Sequence, residues 1–296
     1  MHVLFHSMPD VKPHAVQAQS DELLITLLNH FADQVDQKLQ DKLVSELMEK
    51  YVEATRQLND SNQRLKRYNA QLEELVHEKI LEITASQMAT IHALVKSAES
   101  RDDETGAHIE RTALYGRLIA ERLQAMGIYD HVVDDQYIHN IEMASPLHDI
   151  GKVGIADAVL LKPGRLTAEE FEIMKTHVKI GHETLAYVAE CYPENAFIRI
   201  GMEISLCHHE KWDGSGYLYG LSGEDIPLSA RIMAVSDVYD ALRAKRVYKE
   251  PFSHEASLNI MAQSRGSHLD PLLTDVFLGD HAVFRDIFDA SIASCG

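Results

Sequence analysis

Apolar residues recur at coiled-coil spacing in the first third of the chain. One series repeats every seven residues, and a second series follows it by three. The first consists of Tyr51, Leu58, Leu65 and Leu72, and the second of Ala54, Ser61, Tyr68 and Leu75, of which Ser61 is the one polar member. Residues 14–105 contain neither proline nor glycine. The pattern therefore predicts one long helix, or two joined helices, with a heptad stripe.

This stripe leaves two interpretations open. The helix could pack against its own domain, or it could form a parallel coiled coil between two subunits. Residues 59–63, Asn-Asp-Ser-Asn-Gln, are unusually polar for packing within one chain, which favours the coiled coil. We predict a coiled-coil dimerisation and signalling helix over residues 41–95. Residues 1–40 are expected to be a partly helical segment of unknown role.

The rest of the chain carries a helical pattern and weak strand signals. Apolar residues follow helical spacing over 107–126, 135–150 and 168–189. Thr167 and Glu170 form a capping-box pattern at the start of the last of these. Glycine-rich turns occupy residues 162–164 and 213–216. The pattern predicts an all-α domain over residues 96–296, with helices joined by loops.

Composition narrows the function classes. The chain has 28 Lys and Arg against 46 Asp and Glu, a formal net charge of −18, which argues against binding to nucleic acid or to an anionic membrane surface. Its three cysteines lack CxxC spacing, which favours a reducing compartment. The apolar stretch at residues 23–28 is too short to cross a membrane. We therefore predict a cytoplasmic protein without membrane insertion.

A set of histidines and aspartates without a cysteine indicates a metal centre. The members are His148, Asp149, His177, His208, His209 and Asp237. Imidazole and carboxylate ligands can leave positions open for water, whereas closed structural zinc sites usually recruit cysteine. Glu104 and His108 stand four residues apart, so on a helix both would lie on one face. The arrangement is typical of a hydrolytic metal site.

Two long motifs carry a resemblance to a known family. SPLHDIGKVGIADAVLLKPGRLTAEEFEIMKTHVKIG and HHEKWDGSGYLYGLSGEDIPLSARIMAVSDVYDALRAKRVYK closely resemble the HD-GYP family. The resemblance extends from about residue 100 to about residue 278, in the family's order. It implies an all-α HD-fold helical bundle. It also implies a metal-dependent phosphodiesterase that hydrolyses cyclic di-GMP to linear pGpG, GMP or both.

The resemblance also implies how the ligands divide. Asp149 would bridge two ions and take part in catalysis, with His148 and Asp237 serving one ion. The other ion would be served mostly by His177, His208 and His209. In the family, a glutamate four residues before the first histidine marks enzymes with three metals. Because Glu104 precedes His108 in this way, we expect three divalent ions rather than two, and iron or manganese rather than a thiol-seeking metal.

Substrate contacts are implied at four positions. Lys152 lies one turn after His148 and is expected to act in catalysis and phosphate binding. Arg246 and Lys249 match the family's phosphate-binding pair, and Tyr217 is expected to contact a guanine.

Several neighbouring residues are expected to be structural. Arg243 and Lys245 are interpreted as surface charges, and Trp212 as a packing residue. His268 and Asp270 resemble a structural corner of the family.

The chain departs from the family at its signature. Gly216-Tyr217-Leu218 replaces Gly-Tyr-Pro, so this loop loses a fixed φ and regains a backbone N–H. In the family, the loop is linked to contacts with diguanylate cyclase domains, which makes such a domain, or another regulatory protein, a candidate partner. Two other functions remain open: a weakly catalytic sensor of the nucleotide, and a phosphodiesterase for another cyclic dinucleotide such as 3'3'-cGAMP.

Overall fold

The computed structural model describes residues 13–99, 106–244 and 250–294, and within these ranges it is built from α-helices and short 3-10 helices without a named strand. The all-α prediction is confirmed. The α-helices are α1 (Pro13–Glu99), α2 (Gly106–Ala125), α3 (Asp135–Ala144), α4 (Asp157–Leu160), α5 (Ala168–Lys175), α6 (His177–Cys191), α7 (Ala196–Cys207), α8 (Leu228–Arg243), α9 (His254–Gln263), α10 (Pro271–Gly279) and α11 (His281–Ser294). The chain divides into two compact units, residues 1–82 and residues 83–296.

The first unit contains most of the long helix α1. Its described side chains, from Ser20 onward, are all exposed, including Leu58, Leu65 and Leu72 of the heptad series. The predicted long helix is therefore present. A coiled coil between two subunits remains a prediction, because the structure contains a single chain.

The second unit has a core built from seven helices. Buried side chains of α2, α3, α7, α8, α9, α10 and α11 form one cluster, in which Tyr115, Tyr239, Phe277 and Phe284 are the largest members. A smaller cluster joins Val95, from the end of α1, to Ile109, Leu147 and Leu185. The two clusters fix the relative positions of α2, α6, α7 and α8, which carry the candidate ligands.

Two predicted helices are interrupted. The pattern over 135–150 corresponds to α3, which ends at Ala144, followed by 3-10 helices at Ser145–Leu147 and Ile150–Gly154. Pro146 lacks an N–H for an α-helical bond, which explains the break. The pattern over 168–189 corresponds to α5 and α6, separated at Thr176. The prediction that the metal residues lie on helices is therefore wrong for His148 and Asp149, and also for His208 and His209, which follow the end of α7 at Cys207.

Local signals at helix starts are well reproduced. Thr167 and Glu170 form the predicted capping box of α5. Asp270 accepts hydrogen bonds from the N–H groups of Leu272 and Leu273 at the start of α10, and Pro271 occupies the first turn. In the described part of the chain, no helix is both long and apolar enough to span a membrane.

Candidate metal centre

Seven of the eight predicted ligands lie in the described residues, and the structure brings them together. His108 is in the first turn of α2, and Asp237 is in the middle of α8. His177 is the first residue of α6. His148 and Asp149 occupy the junction between the two 3-10 helices, and His208 and His209 follow the end of α7. Five separate parts of the fold therefore converge on one site.

The seven ligands form two groups. His108, His148 and Asp237 make the first group, and Asp149, His177, His208 and His209 make the second. Within each group, one candidate ligand atom of every residue lies within 4.8 Å of the others. Among the described residues, neither group includes a cysteine.

Asp149 lies between the two groups. Its Oδ2 is 3.2 Å from Nε2 of His148, in the first group. Its Oδ1 is 3.2 Å from Nε2 of His177 and 3.8 Å from Nε2 of His208, in the second. Each carboxylate oxygen thus faces a different group, which is the geometry a bridging ligand needs.

Backbone carbonyls orient three of the histidines. Nδ1 of His148 lies 2.9 Å from the carbonyl oxygen of Ser145, and Nδ1 of His208 lies 2.9 Å from that of Ile204. Nδ1 of His177 lies 2.8 Å from the carbonyl oxygen of Met174. A carbonyl only accepts, so each Nδ1 carries a proton, and in the neutral form of each ring the lone pair that can bind a metal is at Nε2. This tautomer is the one that binds metal through Nε2.

The site contains buried ligand atoms without hydrogen bonds. Oδ1 of Asp149, Nε2 of His177 and Nε2 of His208 are buried and make no hydrogen bond, although they lie close together. Nε2 of His108 and Nε2 of His148 also face each other at 3.4 Å. Buried polar atoms are normally paired, and converging lone pairs repel each other. A divalent cation in each group would bind these unpaired ligand atoms. The residues therefore fit the metal centre that the sequence indicates.

The pKa values of three histidines in the site are shifted by burial and by the neighbouring carboxylates. Burial lowers the pKa of His148, but the carboxylates of Asp149 and Asp237 outweigh it and raise that pKa to about 10. In contrast, burial lowers the pKa of His209 to about 4 and holds the pKa of His208 well below its usual range. His208 and His209 are therefore neutral near pH 7, the form in which histidine binds a metal.

Lys152 and Tyr217 line the same site. Nζ of Lys152 is 2.9 Å from Oδ2 of Asp149, and the side chain is only 12% exposed. The Tyr217 ring stacks on the ring of His209, with centroids 4.8 Å apart. Phe171 of α5 meets Tyr217 edge to face. One cation and two aromatic rings thus border the ligands, as a nucleotide substrate would require.

The loop that carries Tyr217 is anchored by a residue the sequence reasoning missed. Glu210 is 2% exposed and accepts hydrogen bonds from the N–H groups of Tyr219, at 2.7 Å, and Leu221, at 3.1 Å. A Cβ at Gly216 would lie 2.4 Å from the backbone N of Lys211, so only glycine fits there. The peptide bond between Tyr217 and Leu218 is cis. The position of Glu210 directly after the histidine pair was the available signal.

A second missed interaction orients His108. Its Nδ1 is 2.8 Å from Oδ2 of Asp240, and the Arg111 guanidinium binds the same carboxylate through Nε at 2.6 Å and Nη2 at 2.7 Å. Burial raises the pKa of Asp240, but Arg111 and His108 outweigh it and lower that pKa below its usual value. The signals were Arg111 three residues after His108 and Asp240 three residues after Asp237.

Other predicted residues have varied placements. Glu104, Arg246, Lys249 and Lys245 lie outside the described residues. The interpretation of Arg243 as a surface charge is wrong, because its side chain is 11% exposed and its guanidinium lies 4.5 Å from the Phe288 ring centroid.

The predicted structural corner is present at Asp270. This aspartate caps α10 and pairs with Arg231 at 2.7 Å. The carbonyl oxygen of His268 accepts a hydrogen bond from the N–H of Trp212. Trp212 lies in turn beside the Arg231 guanidinium. These contacts are those of a structural element, and none of these four residues belongs to either ligand group.

Comparison with known proteins agrees with this site. Residues 42–273 match the model of the HD domain family. The chain therefore belongs to the HD domain family, and the resemblance to its HD-GYP branch is confirmed.

Several similar proteins come from Vibrio cholerae serotype O1, and three of them illustrate the match. A probable cyclic di-GMP phosphodiesterase is 48% identical over 220 residues, which cover 74% of this chain and 50% of that protein. A cyclic di-GMP phosphodiesterase is 49% identical over 197 residues, 67% of this chain and 40% of that protein. The 3'3'-cGAMP-specific phosphodiesterase 2 is 40% identical over 200 residues, 67% of this chain and 36% of that protein. This chain matches half or less of the length of each.

Proposed function

We propose that this protein is a metal-dependent phosphodiesterase that hydrolyses cyclic di-GMP to linear pGpG, GMP or both. The observation that carries the proposal is the Asp149 carboxylate, with one oxygen facing each of two ligand groups. Two divalent ions bound to these groups would activate water and neutralise charge on the phosphate during hydrolysis. The similarity to two cyclic di-GMP phosphodiesterases supports the substrate.

The chain's own residues divide the remaining tasks. His108, His148 and Asp237 would hold one ion, and His177, His208 and His209 would hold the other. Asp149, with one oxygen facing each group, would serve both. Lys152 places a positive charge beside Asp149, where it can bind a phosphate oxygen. The stacked pair of Tyr217 and His209 offers an aromatic face to a base at the edge of the site.

Arg246 and Lys249 complete the substrate contacts in this proposal. Each charge-assisted contact to a phosphate contributes roughly 1.5 to 3 kcal/mol. Replacing both with alanine should therefore raise KM for the cyclic dinucleotide about a hundredfold or more, while the metal content stays unchanged. The proposed phosphate role would be wrong if KM stayed the same.

A third ion at Glu104 is a separate proposal. It is supported by the position of Glu104 in the sequence, four residues before His108 of the first ligand group. Nitrogen and oxygen ligands without sulfur suit iron or manganese. Glu104→Ala should lower the metal count by about one ion per chain and leave two. An unchanged count by elemental analysis would remove this residue from the ligand set.

In the whole protein, the catalytic residues belong to segment 96–296. The helical segment that precedes it in sequence pairs two subunits. We further propose that it acts in the cytoplasm, where the substrate is a bacterial second messenger. The loop around Leu218, 39% exposed, is the candidate contact for a diguanylate cyclase domain or another regulatory partner.

The decisive experiment is a turnover assay with anaerobically purified protein loaded with iron or manganese. Cyclic di-GMP and 3'3'-cGAMP are supplied separately, and metals per chain are counted on the same sample. We expect hydrolysis of cyclic di-GMP, and its loss together with bound metal in the double variant His148→Ala, Asp149→Ala. Faster hydrolysis of 3'3'-cGAMP would assign the activity of the third relative instead. Tight binding without turnover by metal-loaded protein would indicate a sensor.

A further inference from the structure

A buried chain of polar contacts connects the first ligand group to the last helix, α11. It begins at His108, whose Nδ1 lies 2.8 Å from Oδ2 of Asp240. Both oxygens of Asp240 accept hydrogen bonds from Arg111, at 2.6 and 2.7 Å. Arg111 then donates through Nη1 to Oγ of Ser291, 3.2 Å away on α11. His108, Arg111 and Asp240 are 5%, 4% and 0% exposed, so these contacts are shielded from water.

The orientation of Arg111 is fixed by an aromatic ring as well as by hydrogen bonds. Its guanidinium carbon lies 4.8 Å from the centroid of the Phe288 ring on α11. The guanidinium of Arg243 lies 4.5 Å from the same centroid and also binds Asp289. A planar guanidinium that binds a carboxylate with two N–H groups and contacts a ring has little freedom to rotate. Arg111 therefore holds the Asp240 carboxylate in one position.

That position determines which atom His108 offers to a metal. The Asp240 carboxylate accepts from Nδ1, which leaves the lone pair of the imidazole at Nε2. Nε2 lies 3.7 Å from Oδ1 of Asp237 and 3.4 Å from Nε2 of His148. The second ligand group is oriented differently, because His177 donates to the backbone carbonyl of Met174 on α5 and His208 to that of Ile204 on α7. The two groups thus have independent supports.

We infer that Arg111, held by Phe288 and Ser291 of α11, is a positioning residue that acts through Asp240 and His108 on the first metal site alone. The inference rests on the proposed metal centre. It assigns to α11 a part in setting the affinity of that one site, although no residue of α11 is a ligand.

Arg111→Lys tests this role, because lysine keeps the positive charge but cannot bind both oxygens of Asp240 in the guanidinium geometry. Loss of the outer support of a metal ligand typically weakens affinity about 10-fold to 100-fold. Metal-free protein is titrated with Co²⁺, followed by visible absorption and by elemental analysis. The variants His108→Ala and His209→Ala identify the step that belongs to each ligand group. In Arg111→Lys, we expect the Kd for Co²⁺ at the first ligand group to rise about 10-fold to 100-fold. The Kd for Co²⁺ at the second ligand group should stay within twofold of the wild-type value.

Arg231→Lys is the matched control. Arg231 is a second buried arginine that pairs with a buried aspartate, Asp270, and contacts the Tyr129 ring. This change should lower Tm but leave both Co²⁺ affinities within twofold of the wild type. If Arg111→Lys weakens both steps equally, or neither, the inference is overturned. If the wild-type protein shows no Co²⁺-binding step that is lost in His108→Ala, the proposed metal centre itself is contradicted.

A milder variant covers the case in which Arg111→Lys does not fold. Phe288→Leu keeps an apolar side chain on α11 and removes only the ring beside Arg111. We expect the first Kd to rise a few-fold with no change in the second. An unchanged first Kd would exclude α11 from the positioning of His108.

Discussion

Two glycines allow the turn with His148 and Asp149 to pack directly against α6. A Cβ at Gly151 would lie 1.9 Å from the carbonyl oxygen of His177 and 2.5 Å from the backbone N of Gly181. These are backbone atoms of the helix that carries a ligand, so they cannot swing aside. The close approach is what brings Asp149 to His177.

Gly151→Ala should therefore separate Asp149 from His177. Overpacking of this kind costs about 1 to 3 kcal/mol. We expect a Tm lower by several degrees and loss of metal from the second ligand group, measured by differential scanning fluorimetry and elemental analysis.

Gly279→Ala is the control for this change. A Cβ there would meet no atom within 4 Å, so both quantities should stay at wild-type values. Full metal content in Gly151→Ala would mean that the turn can shift without moving its ligands.

At this scale the sequence predicted the ligands better than their supports. His148, Asp149 and the histidine pair stand in recognisable motifs. Asp240 and Arg111 are separated by 129 positions, so their contact depends on how α2 and α8 pack, which no local pattern reveals. The partial burial of Arg243 has the same origin, because Phe288 comes from a distant helix.

Among the elements, α1 carries the sharpest open prediction. If Leu58, Leu65 and Leu72 line a seam between two subunits, then Leu65→Lys with Leu72→Lys would bury charges against their copies in the partner, which is strongly unfavourable. We expect the dimer to dissociate. Metal content should persist, because all the proposed ligands follow the seam in sequence. Light scattering coupled to size exclusion gives the mass directly.

Gln63→Lys with Ala70→Lys is the matched control for the seam. It adds the same charge at positions five residues after Leu58 and Leu65, outside the two heptad series, and should leave the dimer intact. A wild type that is monomeric at micromolar concentration would contradict the coiled coil. Dissociation by both double variants would point to general charge repulsion instead.

Helix boundaries show where periodicity succeeds and fails. The prediction of a helix over 107–126 matches α2 to within one residue at each end, and the capping box marked the start of α5. The breaks after Ala144 and at Thr176 escaped detection, because 3-10 turns and a single residue barely disturb the spacing of apolar positions. Both breaks lie beside proposed ligands, His148 and His177. The geometry of the site therefore depends on helix breaks that the periodicity of apolar residues does not predict.

In the molecule as a whole, acidic residues outnumber basic residues, and the metal site also contains two carboxylates, those of Asp149 and Asp237. The carboxylates of Asp149 and Asp237 raise the pKa of His148 to about 10 against the effect of burial. Without metal, the proton on His148 supplies positive charge that an ion would otherwise supply. A pKa above its usual value of 6.5 means that this contribution to stability is complete below pH 6.5 and is lost as pH rises towards 10.

Metal removal should therefore make stability depend on pH. In chelator-treated protein, we expect the free energy of unfolding to fall between pH 7 and pH 9.5 by up to about 1.4 kcal/mol per pH unit. Metal-loaded protein should have a higher Tm and a flatter profile, since bound ions replace the proton. Thermal melts at several pH values measure both.

His148→Gln isolates the group responsible. The metal-free variant should lack most of the decline between pH 7 and pH 9.5, because glutamine does not titrate. Parallel profiles for metal-free and metal-loaded protein would show that His148 carries no proton in the absence of metal.

The anchoring of the Tyr217 loop by Glu210 affects how such proteins are recognised. Two hydrogen bonds from backbone N–H groups to one buried carboxylate shape the loop here, with leucine in place of the signature proline. A search that demands Gly-Tyr-Pro would pass over this chain. One that asks for His-His-Glu followed by a glycine six residues later would retain it, because those residues meet the steric and hydrogen-bonding requirements of the loop.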